Sequence, residues 1–305
     1  MLELLSEHQA FGGVQRFYRH QSTEIGLPMR FSVFLPDVAT GGAGASGASG
    51  ASGASDAPAR LPALFYLAGL TCTEETFPTK GAAQQHAARH GLVLIAPDTS
   101  PRGAGIPGEA DAWDFGVGAG FYVDATETPW RERYRMYSYL VNELPALVSR
   151  ELPVDGARLG IFGHSMGGHG ALVLGLRNPD LFKSISAFAP IAAPSDCAWG
   201  RKAFGNYLGD DATRWADYDA SRLLATGGAA PHAQPILIDQ GLADTFLHDG
   251  QLQPEAFEAA CAQAGQALTL RRHPGYDHGY YFISSFMADH IAHHAAILHG
   301  QAAGD

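Results

Sequence analysis

From Leu61 onward the chain alternates short apolar runs with amphipathic stretches, and this restricts it to few architectures. LPALFYLAG, LVLIAPD, RLGIFG, SISAFAP and PILIDQG are nearly continuous in apolar residues rather than apolar at every second position, so strands built from them must be covered on both faces. AAQQHAARH, YRMYSYLVNELPALVSRE, the stretch after Ser165, PEAFEAACAQAG and the C-terminal segment read as helices between them, and ALTLRRH as one more strand. The alternation predicts an α/β fold, a mostly parallel central sheet with helices on both faces.

Ahead of this region, QRFYRHQS and MRFSVFLP form an expected antiparallel pair. Between the pair and the alternating region runs GGAGASGASGASGASDAPA, residues 41–59, whose side chains are too small to pack. It is expected to be a flexible loop inserted at a strand connection of one domain spanning 1–305, because the residues before it cannot form a core alone. The stretch from Thr99 to Trp130 is rich in Gly and Pro, lacks either periodicity, and reads as a long, ordered, functional loop. Its GVGAG is not a dinucleotide fingerprint, since the spacing is wrong and no apolar strand precedes it.

Charge and composition exclude several classes. With 20 basic against 31 acidic residues, the formal net charge is −11, which argues against a nucleic-acid partner. No segment approaches the ~18 uninterrupted apolar residues of a membrane span, and the N-terminus does not read as a leader, so a soluble, unexported protein is expected. Cys72, Cys197 and Cys261 are odd in number and widely spaced. They fit neither a zinc site nor a disulfide framework and point to a reducing compartment, the cytoplasm.

Gly163-His164-Ser165-Met166-Gly167 fits GxSxG, in which a serine sits on a strained turn between a strand and a helix. In a chain with 37 glycines the pentapeptide alone is weak evidence, but RLGIF before it and GGHGALVLGL after it supply the strand and the small-residue helix. A serine nucleophile needs a base, and the base an orienting carboxylate. Asp244 follows in PILIDQGLADTF, just past a strand, with Asp239 as a rival inside the strand run; His278 follows in the Gly-bounded turn GYDHGYYF. The expected set is therefore Ser165, Asp244 and His278. The oxyanion donors are expected to be the backbone N–H groups of Met166 and of Leu70, in the loop after LPALFYLAG.

Most of the fourteen histidines must be inert. His164 is expected to point away from the turn and His169 to pack. His290, His293 and His294 share one face of the last helix, which is expected to be solvated rather than a metal site. No metal and no cofactor are predicted. Cys72 falls two residues past Leu70 and is expected near the site, as a small buried side chain or a reactive thiol.

LAGLTCTEETF, APDTSPRG, WDFGVGAGFYVDAT, YRMYSYLVNELP, GHSMGGHGAL, CAWGRKAFGNYLG, ILIDQGLADTFL and GYDHGYYFISSFMADHIAHH occur in order from about Phe11 to the last helix. Together they resemble the S-formylglutathione hydrolase (esterase D) family. The resemblance implies an α/β-hydrolase that cleaves S-formylglutathione to glutathione and formate, closing glutathione-dependent formaldehyde detoxification. Motif by motif, it implies Ser165 as nucleophile, Asp244 as acid, His278 as base, Leu70 and Met166 as oxyanion donors, a thiol at Cys72 near the site, and Trp199 at the acyl pocket. The partner implied is a small-molecule glutathione thioester. A homodimer is compatible with it, and the 41–59 insertion bears on such surface contacts rather than on chemistry. Rival readings are a broad short-chain carboxylesterase or acyltransferase of the same fold, and a non-catalytic binding scaffold.

Overall fold

The computed structural model describes residues 2–37 and 59–300. The expected loop at 41–59 lies outside the described residues save Ala59. Among the described residues nine strands form one sheet: β1 (Glu3–Ala10), β2 (Gly13–Gln21), β3 (Pro28–Leu35), β4 (Leu61–Leu67), β5 (Val93–Pro97), β6 (Val154–His164), β7 (Phe182–Phe188), β8 (Ile236–Gly241) and β9 (Leu268–His273). Their order is β1-β2-β3-β5-β4-β6-β7-β8-β9. The first three strands pair antiparallel and β3 joins β5 antiparallel, whereas every pairing from β5 to β9 is parallel. The fold is that of an α/β-hydrolase, as the alternation predicts.

The helices are α1 (Thr76–Lys80), α2 (Gln84–His90), α3 (Met136–Ser138), α4 (Leu144–Glu151), α5 (Met166–Arg177), α6 (Ala198–Leu208), α7 (Ala212–Trp215), α8 (Ala220–Ala225), α9 (Thr245–His248), α10 (Pro254–Ala264) and α11 (Tyr280–Leu298). Adjacent residues of β6 show why central strands need two apolar faces. A Cβ on Gly160 would meet Ser184 and His294 of α11, while Ile161 lies beside Gly175 of α5. Side chains alternate along a strand, so α11 and α5 cover opposite faces. The residues of β4, β6 and β7 that these helices cover are almost wholly buried.

Three features depart from the sequence expectation. Strand β1 was not foreseen: it is an edge strand with most side chains exposed, held to β2 partly by Arg16–Glu7 and Arg19–Glu3 ion pairs, so it carries no apolar signal. The expected helix over 134–151 is interrupted by a π-helical turn, Tyr139–Glu143, before α4. Pro145 has no N–H for the preceding turn, and the wider turn accommodates that gap. Helix α6, with glycines at 200 and 205 masking its periodicity, is capped by Cys197, whose Sγ accepts the Gly200 N–H at 3.4 Å.

Candidate active site

β6 delivers Ser165 to the carboxyl edge of the sheet, between the strand and α5. Its backbone is held at φ 58 and ψ −119, a region costly for a residue with a Cβ. Three hydrogen bonds hold the strained residue. The Ser165 N–H donates to the Phe188 carbonyl of β7 at 3.0 Å, and the Ser165 carbonyl accepts from the N–H groups of His169 at 2.9 Å and Ile191 at 3.2 Å. Crowding explains the flanking glycines: a Cβ on Gly163 would collide with the Gly167 carbonyl, and one on Gly167 with the Leu67 carbonyl of β4. Gly168 makes room chiefly for Pro190, and Gly170 for Tyr122 and for Leu67 of β4.

β8 brings both aspartates to the same edge, and their partners separate them. Asp244 is fully buried and caps α9, accepting the Phe246 N–H at 2.9 Å through Oδ1. Its Oδ2 accepts from Gln240 Nε2 at 3.2 Å and lies 2.6 Å from His278 Nδ1. A carboxylate only accepts, so the His278 Nδ1 carries the proton and Nε2 is left as the free basic nitrogen. The two loops are stitched together by Leu242 N–H to His273 O (2.9 Å) and Ala243 N–H to Tyr276 O (2.8 Å). Gly241 permits this, because a Cβ there would strike the Tyr276 and Asp277 carbonyls.

Asp239 is occupied elsewhere. Arg271 grips it with Nε and Nη2 at 2.6 Å each, His273 Nε2 lies at 3.1 Å and His290 Nε2 at 3.2 Å. Burial works to raise its pKa, but the hydrogen bonds from His290, Arg271 and His273 outweigh that and hold it well below the ordinary carboxylate range.

Ser165 and His278 line one cavity of ≈ 220 Å³ together with Gly69, Leu70, Thr71, Cys72, Trp113, His164, Trp199, Phe246 and Tyr280. The expected oxyanion loop packs directly on the serine, since a Cβ on Gly69 would sit 3.3 Å from Ser165 Cβ. Among the described residues, neither the Leu70 N–H nor the Met166 N–H has a backbone partner, and the latter is the first of α5, where helical N–H groups point outward unsatisfied. The Gly-rich loop between β5 and α3 holds the segment from Ala68 to Cys72 through three hydrogen bonds. Gly118 O accepts the Thr71 N–H (2.9 Å), Thr99 Oγ1 donates to Cys72 O (2.6 Å) and the Tyr122 hydroxyl donates to Ala68 O (2.8 Å).

Other sequence expectations are corrected or refined. His164 does not leave the site: its ring lies 4.3 Å from that of His278, and burial, then the neighbouring His278, keeps it neutral by pushing its pKa well below the usual histidine value. His169 packs as expected, with Nε2 3.0 Å from Phe121 O and burial taking its pKa down to about 4. The solvated histidine face on the last helix is overturned, because His290 and His294 are fully buried. They meet Ser186 and Ser184 of β7, with His294 Nδ1 2.6 Å from Ser184 Oγ, its Nε2 2.8 Å from Ser186 Oγ, and His290 Nδ1 2.8 Å from the same Ser186 Oγ. The alternating serines of SISAFAP were the available signal. Cys72 is half-buried, and burial raises its thiol pKa, which disfavours the thiolate. Trp113 and Tyr280 were not singled out from the sequence, although they stand in WDFG and directly after the turn of His278. Trp113 meets Trp199 edge-on at 5.6 Å, and Phe246 meets Trp199 at 4.8 Å.

The fold and the arrangement at its carboxyl edge define an esterase of the α/β-hydrolase type. A family model described as a putative esterase matches residues 22–293. The chain is 51% identical to S-formylglutathione hydrolase from Mus musculus over 297 residues, covering 97% of this chain and 99% of that protein. It is also 51% identical to S-formylglutathione hydrolase from Bos taurus over 298 residues, with the same coverage. A solved S-formylglutathione hydrolase from Agrobacterium tumefaciens superposes with a TM-score of 0.88 at 46% identity, covering 97% of this chain and 99% of that one. The chain belongs to this esterase family and, within it, to the S-formylglutathione hydrolases.

Proposed function

We infer that this protein hydrolyses S-formylglutathione to glutathione and formate, with Ser165 as nucleophile, His278 as base and Asp244 as the group that orients it. The observation that carries the reading is the 2.6 Å contact between His278 Nδ1 and Asp244 Oδ2 beside a strained Ser165 in the same cavity. With Nδ1 protonated, Nε2 takes the serine proton as Oγ attacks the thioester carbonyl. The Leu70 and Met166 N–H groups stabilise the developing oxyanion, each donor contributing ~3 kcal/mol to lowering the barrier. His278 then returns the proton to the departing glutathione sulfur, and water, activated by the same nitrogen, releases formate from the formyl-serine.

The aromatic wall of Trp113, Trp199 and Phe246 limits the acyl side, which favours formyl and acetyl over longer chains. Hydrolysis of simple short-chain esters follows from the same machinery. Three free cysteines and an acidic surface support a cytoplasmic enzyme without a nucleic-acid partner. Among the described residues no helix is long and apolar enough to cross a membrane.

The test compares turnover of S-formylglutathione with that of acetyl and butyryl aryl esters in one preparation, with and without an added alcohol acceptor. The thioester is expected to be the best substrate, with water as acceptor; faster turnover of the butyryl ester, or transfer outrunning hydrolysis, contradicts the reading.

A further inference from the structure

The cavity around Ser165 encloses ≈ 220 Å³, ample for a formyl group and its thioester but too small for a whole tripeptide. If the substrate proposed above is bound with its carbonyl at Ser165, the glutathione arm, which bears two carboxylates and one ammonium, must leave across the rim. Trp113, Trp199 and Phe246, which contact one another through Trp199, line the cavity together with Cys72 and Tyr280.

The cations on elements that contribute to the cavity differ in their partners, with Arg201 beside Trp199 donating from Nη2 to the Asp196 carbonyl at 2.8 Å. Lys202 is paired with Asp114, and Arg102 grips Asp98 with Nε at 2.6 Å and Nη2 at 2.8 Å. Lys80, at the end of α1, is exposed and has no carboxylate within ion-pair distance among the described residues. Its Nζ lies 5.9 Å from the centre of the Tyr280 ring, the ring that walls the cavity. Its charge also reaches the Cys72 thiol on the same wall. Lys80 also lines a groove of ≈ 580 Å³ between α1 and the β1–β2 hairpin, with Phe11, Phe17, Glu75 and Pro78. An exposed ammonium without a carboxylate partner, 5.9 Å from the centre of a ring that lines the cavity, in a chain of net charge −11, is a ready partner for an anionic group.

We propose that Lys80 is a specificity-determining residue that binds a carboxylate of the glutathione arm, so that the enzyme prefers glutathione thioesters over neutral esters. This rests on the function proposed above and adds the source of its leaving-group preference. Attraction of this kind at an exposed rim acts on binding and falls with salt.

The experiment measures kcat and KM of the wild type, K80A and K80R on S-formylglutathione and on 4-nitrophenyl acetate, at low and at physiological ionic strength. K80A is expected to reduce the preference for the thioester about five-fold, through KM rather than kcat, the size of a single exposed charge contact. K80R should restore most of it, and the salt dependence of KM for the thioester should shrink in K80A. S-methylglutathione, as an unreactive inhibitor of ester turnover, should lose affinity in K80A by a similar factor. Equal changes on both substrates, or none on either, overturn the role of Lys80 alone. A wild type that fails to turn over S-formylglutathione overturns the proposed function and this inference with it.

Discussion

Asp239 and Asp244 are both fully buried at the end of β8, yet only Asp244 meets His278, at 2.6 Å, while Asp239 is enclosed by Arg271, His273 and His290. Position along the strand causes the difference. Asp239 lies inside the ladder opposite Arg271 of β9, whereas Asp244 lies past the strand end, on the loop stitched to the His278 turn.

Two substitutions should therefore separate the roles. D244N removes the acceptor that fixes the His278 tautomer and should lower kcat by about 10³- to 10⁴-fold, with stability little changed. D239N leaves Arg271 beside a neutral partner and should instead destabilise the fold by ~3 kcal/mol, with kcat of the folded enzyme within about ten-fold of wild type. Urea unfolding and steady-state rates on the two variants check both halves.

Strain at Ser165 makes a second expectation. At φ 58 and ψ −119 a Cβ is costly, so S165G should be more stable than S165A by ~1 kcal/mol, and both should be inactive. Paired melting curves read the difference.

The acyl wall gives a third. W199A removes the ring that both Trp113 and Phe246 contact, and should improve butyryl against acetyl ester turnover by about ten-fold. The measured quantity is the ratio of kcat/KM for the two esters.

Buried histidines set the acid limit of stability. His164, His169, His290, His293 and His294 all have folded pKa values below the ordinary one, chiefly because burial disfavours the cation, with His169 and His293 at about 4. In the unfolded chain they titrate near ~6.5, so below that pH the unfolded state binds more protons. Their contribution is complete above ~6.5 and is lost as pH falls toward the folded values. The urea midpoint should drop steadily from pH 7 to 5, by at least ~2 kcal/mol in unfolding free energy; a flat profile contradicts this picture of neutral buried histidines.

Much of this architecture was legible because its signals are local. Continuous apolar runs mark β4 to β8, and GxSxG with its flanking glycines marks the turn at Ser165. Asp244 and His278 could be singled out because each follows a readable strand. What stayed hidden depends on packing between distant segments. The inward face of α11, which buries His290 and His294, is decided by Ser184 and Ser186 on β7 and by the absence of a side chain at Gly160. The work of the central loop is done by Gly118, Thr99 and Tyr122 holding the segment from Ala68 to Cys72, bonds that no periodicity records. Trp113 reaches the cavity from that same irregular loop.

Thioester hydrolysis through Ser165 is read out by following glutathione and formate release from S-formylglutathione with wild type and S165A side by side. The wild type is expected to release equal amounts of both products, and a folded S165A to lose kcat by about 10³-fold or more. Comparable turnover by S165A, or no turnover of the thioester by the wild type, would contradict it.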